Sequence, residues 1–189
     1  MTGTMTIPNI ITCLRIILVP VFIIFLLEGN LTYGFIVFAV AGISDGIDGF
    51  VARILNVRSD LGAYLDPLAD KILLISAFIM LAVLKLVPPW FTVIAISRDI
   101  LIIIGALSLI INRSRFTIKP LISSKITTFL QIITVGAVLA RDIFPYIRFI
   151  EYPLFIASAG LAILSGLLYI KFWFENMGEI SMGTGNTDN

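Results

Sequence analysis

Residues 31–84 read LTYGFIVFAVAGISDGIDGFVARILNVRSDLGAYLDPLADKILLISAFIMLAVL, two apolar stretches that turn acidic where they approach each other across the connection Asn56 to Asp60. Each stretch is long enough to cross a bilayer as a helix, which takes roughly 20 mostly apolar residues. Asp45, Asp48 and Arg53 stand in the last third of the first stretch, and Asp66, Asp70 and Lys71 in the opening turns of the second. On helices, positions 45, 48, 49 and 52 share one face and positions 62, 66 and 70 share one face of the next, so four carboxylates can converge across this hairpin.

The rest of the chain places the hairpin in a membrane. Of its 189 residues 59% are hydrophobic and 13% charged, and the mean hydropathy is +1.06, outside the range of ordinary soluble domains. Backbone polar groups in lipid must be satisfied within the protein, and these apolar runs are too long and too weakly alternating for barrel strands. The expectation is an all-α membrane protein with six transmembrane helices, over about 10–27, 31–55, 61–84, 88–111, 122–140 and 152–173. These form one domain over 1–175, and the Gly-, Asn- and Thr-rich segment 176–189 is expected to be a disordered tail. No internal repeat is visible. Arg53, Arg58, Arg113, Arg115 and Lys119 border the connections on one side of six spans, against Lys85, Arg141 and Arg148 on the other. By the positive-inside rule the acidic hairpin then faces the cytoplasm, in a multi-pass protein of the inner, cytoplasmic membrane. The first fourteen residues hold no Lys or Arg, a poor match to a cleavable signal peptide, so the first helix is expected to remain.

Composition also narrows the chemistry. A net charge of +1 with no basic block points away from nucleic acid. Cys13 is the only cysteine and reads as packing, and the complete absence of histidine removes Ser-His hydrolysis and every route through phosphohistidine. Carboxylates and metals are left to act.

An ionised aspartate inside a bilayer costs roughly 2.5 to 3.5 kcal/mol even on a lenient insertion scale, and four together repel one another. Arg53 and Lys71 supply two positive charges at most, whereas two divalent cations cancel all four negative ones; hard oxygen ligands suit Mg2+ or Mn2+. Such a pair can clamp a diphosphate between its attacking and leaving oxygens. Gly49, Ala52 and Gly62 keep the same faces small and let a bulky ligand approach the backbone. Taken singly, small residues are more often helix-packing contacts, and one buried aspartate can equally be a proton relay or an ion-pair partner. The full set at fixed spacing is hard to explain by packing.

That set resembles the signature of the CDP-alcohol phosphatidyltransferases, D-x2-D-G-x2-A-R-x8-G-x3-D-x3-D, matched at every position over residues 45–70. Ile7-Pro8-Asn9, Thr12 and Arg15 add a looser likeness, and the family's six-helix fold agrees with the independent span count. The resemblance implies that Asp45, Asp48, Asp66 and Asp70 ligate two ions and that Asp70 is also the general base on the acceptor hydroxyl, a task the lack of histidine leaves to a carboxylate in any case. It implies that Asp45, Gly49, Ala52, Arg53, Gly62 and Asp66 bind the substrate, with Arg53 reaching phosphate oxygens, and that CMP leaves. No further cofactor is implied. The partners implied are CDP-diacylglycerol, an alcohol acceptor, membrane lipids and, as an assembly, a homodimer.

The acceptor is read from two cations in apolar surroundings, Arg98 and Lys125, as candidate ligands of a phosphorylated alcohol. Arg113 and Arg115 read better as topology charges, and Arg98 can instead pair with Asp99. The family's phosphatidylglycerophosphate synthases are similar in having an arginine in the fourth span and Gly-Lys-x-Lys-Thr opening the fifth. Here the latter reads Ser124-Lys125-Ile126-Thr127-Thr128, without the glycine and the second lysine. Ile96-Ser97-Arg98-Asp99 and Ile122-Ser123-Ser124-Lys125 also resemble the mitochondrial type of cardiolipin synthase. Glycerol 3-phosphate is the acceptor expected first, which makes the chain a CDP-diacylglycerol–glycerol-3-phosphate phosphatidyltransferase. Phosphatidylglycerol, giving cardiolipin, is the alternative. An ion-coupled transporter is the non-enzyme alternative; it would be favoured by an inverted repeat.

Overall fold

A computed structural model describes the backbone of residues 7–55, 60–111 and 122–183, and the side chains of 16–44, 71–105, 122–171 and 173. The described residues form helices joined by short turns, without a strand: α1 (Ile7–Leu27), α2 (Leu31–Leu55), α3 (Asp60–Val83), α4 (Pro89–Ile111), α5 (Ile122–Leu139) and α6 (Arg148–Gly183), with two 3-10 turns, Ala140–Asp142 and Pro145–Ile147, between α5 and α6. Every expected apolar stretch is a helix. The sixth begins at Arg148 and runs to Gly183, through residues 176–183 of the segment read as a tail. That segment is polar but holds no proline, so nothing in it forbids helix. Residues 184–189 lie outside the described residues.

Two stretches of the described residues are long and apolar enough to cross a bilayer, Ile122–Asp142 and Pro145–Lys171, with shorter apolar helices at Ile16–Leu27, Leu31–Ser44 and Lys71–Val83.

The chain divides into two compact units. The first comprises Met1–Val87 and Val135–Glu151; in it α1 packs on both α2 and α3. Phe22, Leu26, Phe38, Ala41, Ala77, Phe78 and Leu81 form its interior. Phe22 and Phe38 meet with ring centroids 6.1 Å apart. Gly34 allows the close approach of α2: a Cβ there would lie 2.7 Å from Leu26 Cδ2 and 3.7 Å from Leu139 Cδ2. The turn between α1 and α2 is a Schellman closure, in which Gly29 at φ +74° donates to Leu26 O and Asn30 N–H to Phe25 O. Asn30 then caps α2, its Oδ1 accepting from Tyr33 N–H at 3.3 Å. The end of α3 repeats the closure with Lys85 at φ 57°, donating to Ala82 O while Leu86 N–H reaches Leu81 O.

The second unit comprises Pro88–Thr134 and Tyr152–Asn189. Pro89 opens α4 at a position where the missing N–H costs nothing. Phe91 and Phe155 pack at 5.3 Å between centroids. The buried residues here include Thr92, Arg98, Asp99, Thr127, Gln131, Thr134, Ser158 and Ser165, while Val93, Ile104, Phe129, Ile133, Ile163 and Leu167 are exposed. These polar groups lie inside beside Phe91, Ala95, Phe155, Ala159 and Ala162, and large apolar side chains lie outside, a surface that suits a hydrocarbon solvent.

Candidate functional site

Asp45, Asp48, Gly49, Ala52 and Arg53 lie on α2, which is unbroken from Leu31 to Leu55. Gly62, Asp66 and Asp70 lie on α3, unbroken from Asp60 to Val83. Helical spacing therefore holds on both sides of the hairpin: 45, 48, 49 and 52 recur on one face of α2, and 62, 66 and 70 on one face of α3. Both helices belong to the first unit and both pack on α1. The side chains of these eight residues, and the connection 56–59, lie outside the described residues. Among the described residues no group of three or more His, Cys, Asp or Glu converges.

The donor chemistry of the hairpin fits a hard divalent ion. It offers four carboxylates on two helix faces, in a chain with no histidine and one cysteine, so oxygen is the ligand atom available.

The second unit shows what becomes of the two candidate acceptor cations. Arg98, on α4, is 4% exposed. Its Nη1 donates to Asp99 Oδ1 at 2.6 Å and to Thr128 Oγ1 at 3.4 Å. Its Nη2 donates to Ser124 O at 3.0 Å, to Ser124 Oγ at 2.6 Å and to Ser165 Oγ at 3.3 Å. The guanidinium is thus neutralised by the neighbouring carboxylate and ties α4 to α5 and α6. Lys125, next to Ser124, is exposed. The arginine reads as an internal tie and the lysine as the outward cation. Asp99 as a partner was legible in the sequence. Ser124, Thr128 and Ser165 were not, because each hydroxyl is unremarkable alone and only the packing of α5 and α6 brings it to the guanidinium; the seven-residue spacing of Ser158 and Ser165 in an apolar helix is a signal that marks Ser165.

At the far end of α5, Arg141 faces Glu151 at 3.6 Å and Arg148 faces Asp142 at 3.4 Å. These two pairs pin the 3-10 turns, with Arg148 and Asp142 about half exposed, and the four charges balance.

Sequence comparison bears on the same residues. The CDP-alcohol phosphatidyltransferase profile matches residues 5–170. The chain is 38% identical over 157 residues to the cardiolipin synthase (CMP-forming) of Homo sapiens, covering 75% of this chain and 52% of that protein. It is 35% identical over 151 residues to the CDP-diacylglycerol--glycerol-3-phosphate 3-phosphatidyltransferase of Bacillus subtilis, covering 72% and 77%. It is 30% identical over 185 residues to the probable phosphatidylglycerophosphate synthase of Mycobacterium tuberculosis, covering 91% and 83%. The chain spans about half the length of the human relative, 52%. With a profile match from 5 to 170 that contains both acid-bearing helix segments, the chain belongs to the CDP-alcohol phosphatidyltransferase family.

Proposed function

We propose that this chain transfers a phosphatidyl group from CDP-diacylglycerol to a glycerol hydroxyl, with release of CMP. The observation that carries the proposal is the complete aspartate signature on two uninterrupted helices within the family match over residues 5–170. In this reading the acceptor oxygen bonds to the phosphatidyl phosphorus, the bond from that phosphorus to the CMP oxygen breaks, and the hydroxyl proton passes to Asp70. Asp45, Asp48, Asp66 and Asp70 hold two Mg2+ or Mn2+ ions, which when bound neutralise the diphosphate. Arg53 donates to phosphate oxygens, and Gly49, Ala52 and Gly62 leave the backbone open to the nucleotide. All six helices are read as spans of one domain, 1–175, with the acidic hairpin at the cytoplasmic face of the inner membrane and the enzyme as a homodimer.

Glycerol 3-phosphate is the first acceptor, supported by the long matches to the Bacillus subtilis and Mycobacterium tuberculosis relatives, whose own lengths are covered to 77% and 83%. Lys125 then meets its phosphate. A specific observation favours phosphatidylglycerol as the second reading: Arg98 spends both of its terminal nitrogens on Asp99, Ser124, Thr128 and Ser165, which leaves less positive charge for a phosphomonoester. Purified protein incubated with CDP-diacylglycerol and a panel of alcohols, followed by mass analysis of the lipid, decides between them. A product with a terminal phosphomonoester supports the first acceptor and a four-chain lipid the second. CDP-diacylglycerol left intact with every acceptor in the presence of Mg2+ or Mn2+ defeats the proposal.

A further inference from the structure

Gln131 is wholly buried, at 0% exposure, and among the described residues neither its amide nitrogen nor its amide oxygen has a hydrogen-bond partner. A buried primary amide brings two donors and an acceptor out of solvent, and native interiors rarely leave such groups unpaired.

Its neighbours along α5 define what surrounds it. Thr127, Gln131 and Thr134 are spaced by four and three residues and share a helix face. Thr127 Oγ1 lies 2.8 Å from Ser123 O and 3.2 Å from Leu161 O, so its one proton goes to backbone oxygen. Thr134 Oγ1 donates to Leu130 O at 2.7 Å and lies 2.9 Å from Ser158 Oγ. Having spent its proton on Leu130, Thr134 must accept from Ser158. Both Thr127 and Ser158 therefore keep hydroxyl lone pairs that nothing in these bonds uses. The two cross-helix contacts, 127 to 161 and 134 to 158, set an antiparallel register in which Gln131 stands level with residues 158–162 of α6. Ala159 and Ala162 are the small buried side chains of that turn, at 5% and 0% exposure; they offer the amide no polar atom.

We propose that Gln131 holds a buried water molecule between α5 and α6, which accepts from the amide N–H and donates to the spare lone pair of the Thr127 hydroxyl, one helical turn back on the same face. Water fits because it supplies two donors and two acceptors in the smallest volume, and buried waters typically make about three bonds to such groups. An ion fits poorly: Thr127, Thr134 and Ser158 are neutral, Lys125 on the same helix is exposed, and Arg98 and Asp99 already cancel each other at 2.6 Å.

The test uses the full chain, isotope-labelled and reconstituted in lipid, with the Gln131 side-chain amide signal assigned by its disappearance in Gln131→Met. Magnetisation transferred from water should reach that amide well before the backbone N–H of the equally buried Ala162 on α6. Build-up in step with Ala162 overturns the proposal. Independently, Gln131→Met conserves volume but cannot bond the water, so the thermal midpoint should fall by about 2 to 4 °C. An unchanged or raised midpoint overturns the proposal, because removing a truly unpaired amide relieves a cost.

Discussion

Asp99 is 1% exposed, and Arg98 beside it 4%, at a separation of 2.6 Å. Two charges withdrawn from solvent are tolerable together, and removing one leaves the other uncompensated. Asp99→Asn should therefore cost about 3 to 5 kcal/mol, read as a lowered thermal midpoint of the purified protein. The double replacement Arg98→Met with Asp99→Leu should fall between that variant and the parent, since it removes the stranded charge. Asp70 calls for the opposite separation, of rate from stability. As the proposed base, Asp70→Asn should lower turnover by about 100-fold or more while CDP-diacylglycerol binding, measured by titration calorimetry, stays within a few fold. Turnover close to the parent's would place the base elsewhere.

At the level of elements, two helix ends use the same closure with different residues. The turn after α1 puts Gly29 at φ +74°, a conformation glycine adopts without strain. The turn after α3 puts Lys85 at φ 57°, where a Cβ costs roughly 1 to 2 kcal/mol. Glycine would relieve that strain but add freedom to the unfolded chain, so Lys85→Gly should gain about 0.5 to 1 kcal/mol net. A thermal midpoint raised by about 1 to 4 °C would bear this out, and a lowered one would show that Lys85 contributes a contact worth more than the strain. α5 shows a different economy. Between Ile126 and Thr134 its buried side carries Thr127, Gln131 and Thr134 and its exposed side Ile126, Phe129 and Ile133, whereas its last turns bury Val135, Val138 and Leu139, so the polar side is turned in over the first half of the helix only.

For the molecule as a whole, the proposed metal pair is the term that balances four carboxylates in an apolar chain. Chelation should abolish turnover, and Mg2+ or Mn2+ should restore it. The same ions should raise the thermal midpoint of the substrate-free protein, because a ligand bound only by the folded state stabilises it by mass action. Asp45→Asn should weaken that rise. A midpoint indifferent to both ions at millimolar concentration would remove the metal from the substrate-free protein and leave it, at most, to arrive with the diphosphate.

The sequence by itself determined the helical class, the positions of all six helices to within a few residues at most ends, and the family, because long apolar runs permit little but helix in lipid and because the spacing of four aspartates is a pattern within one or two turns. Its main departure was α6, which starts at Arg148 and runs to Gly183 where a span of 152–173 was read: hydropathy marks where a helix is apolar, not where its hydrogen bonds stop. What the tertiary structure decided is the state of groups whose partners are distant in the chain. Arg98 reads from sequence as a phosphate ligand or as the partner of Asp99, and packing gives it Ser124 and Ser165 besides, 26 and 67 residues away. Gln131 is one of several polar residues in the fifth apolar span; only the packing of the helices buries it, with its amide unpaired among the described residues. Local periodicity fixes which face a side chain occupies, whereas its hydrogen-bond partners depend on which helix lies opposite and at what height, and no short window of sequence contains that information.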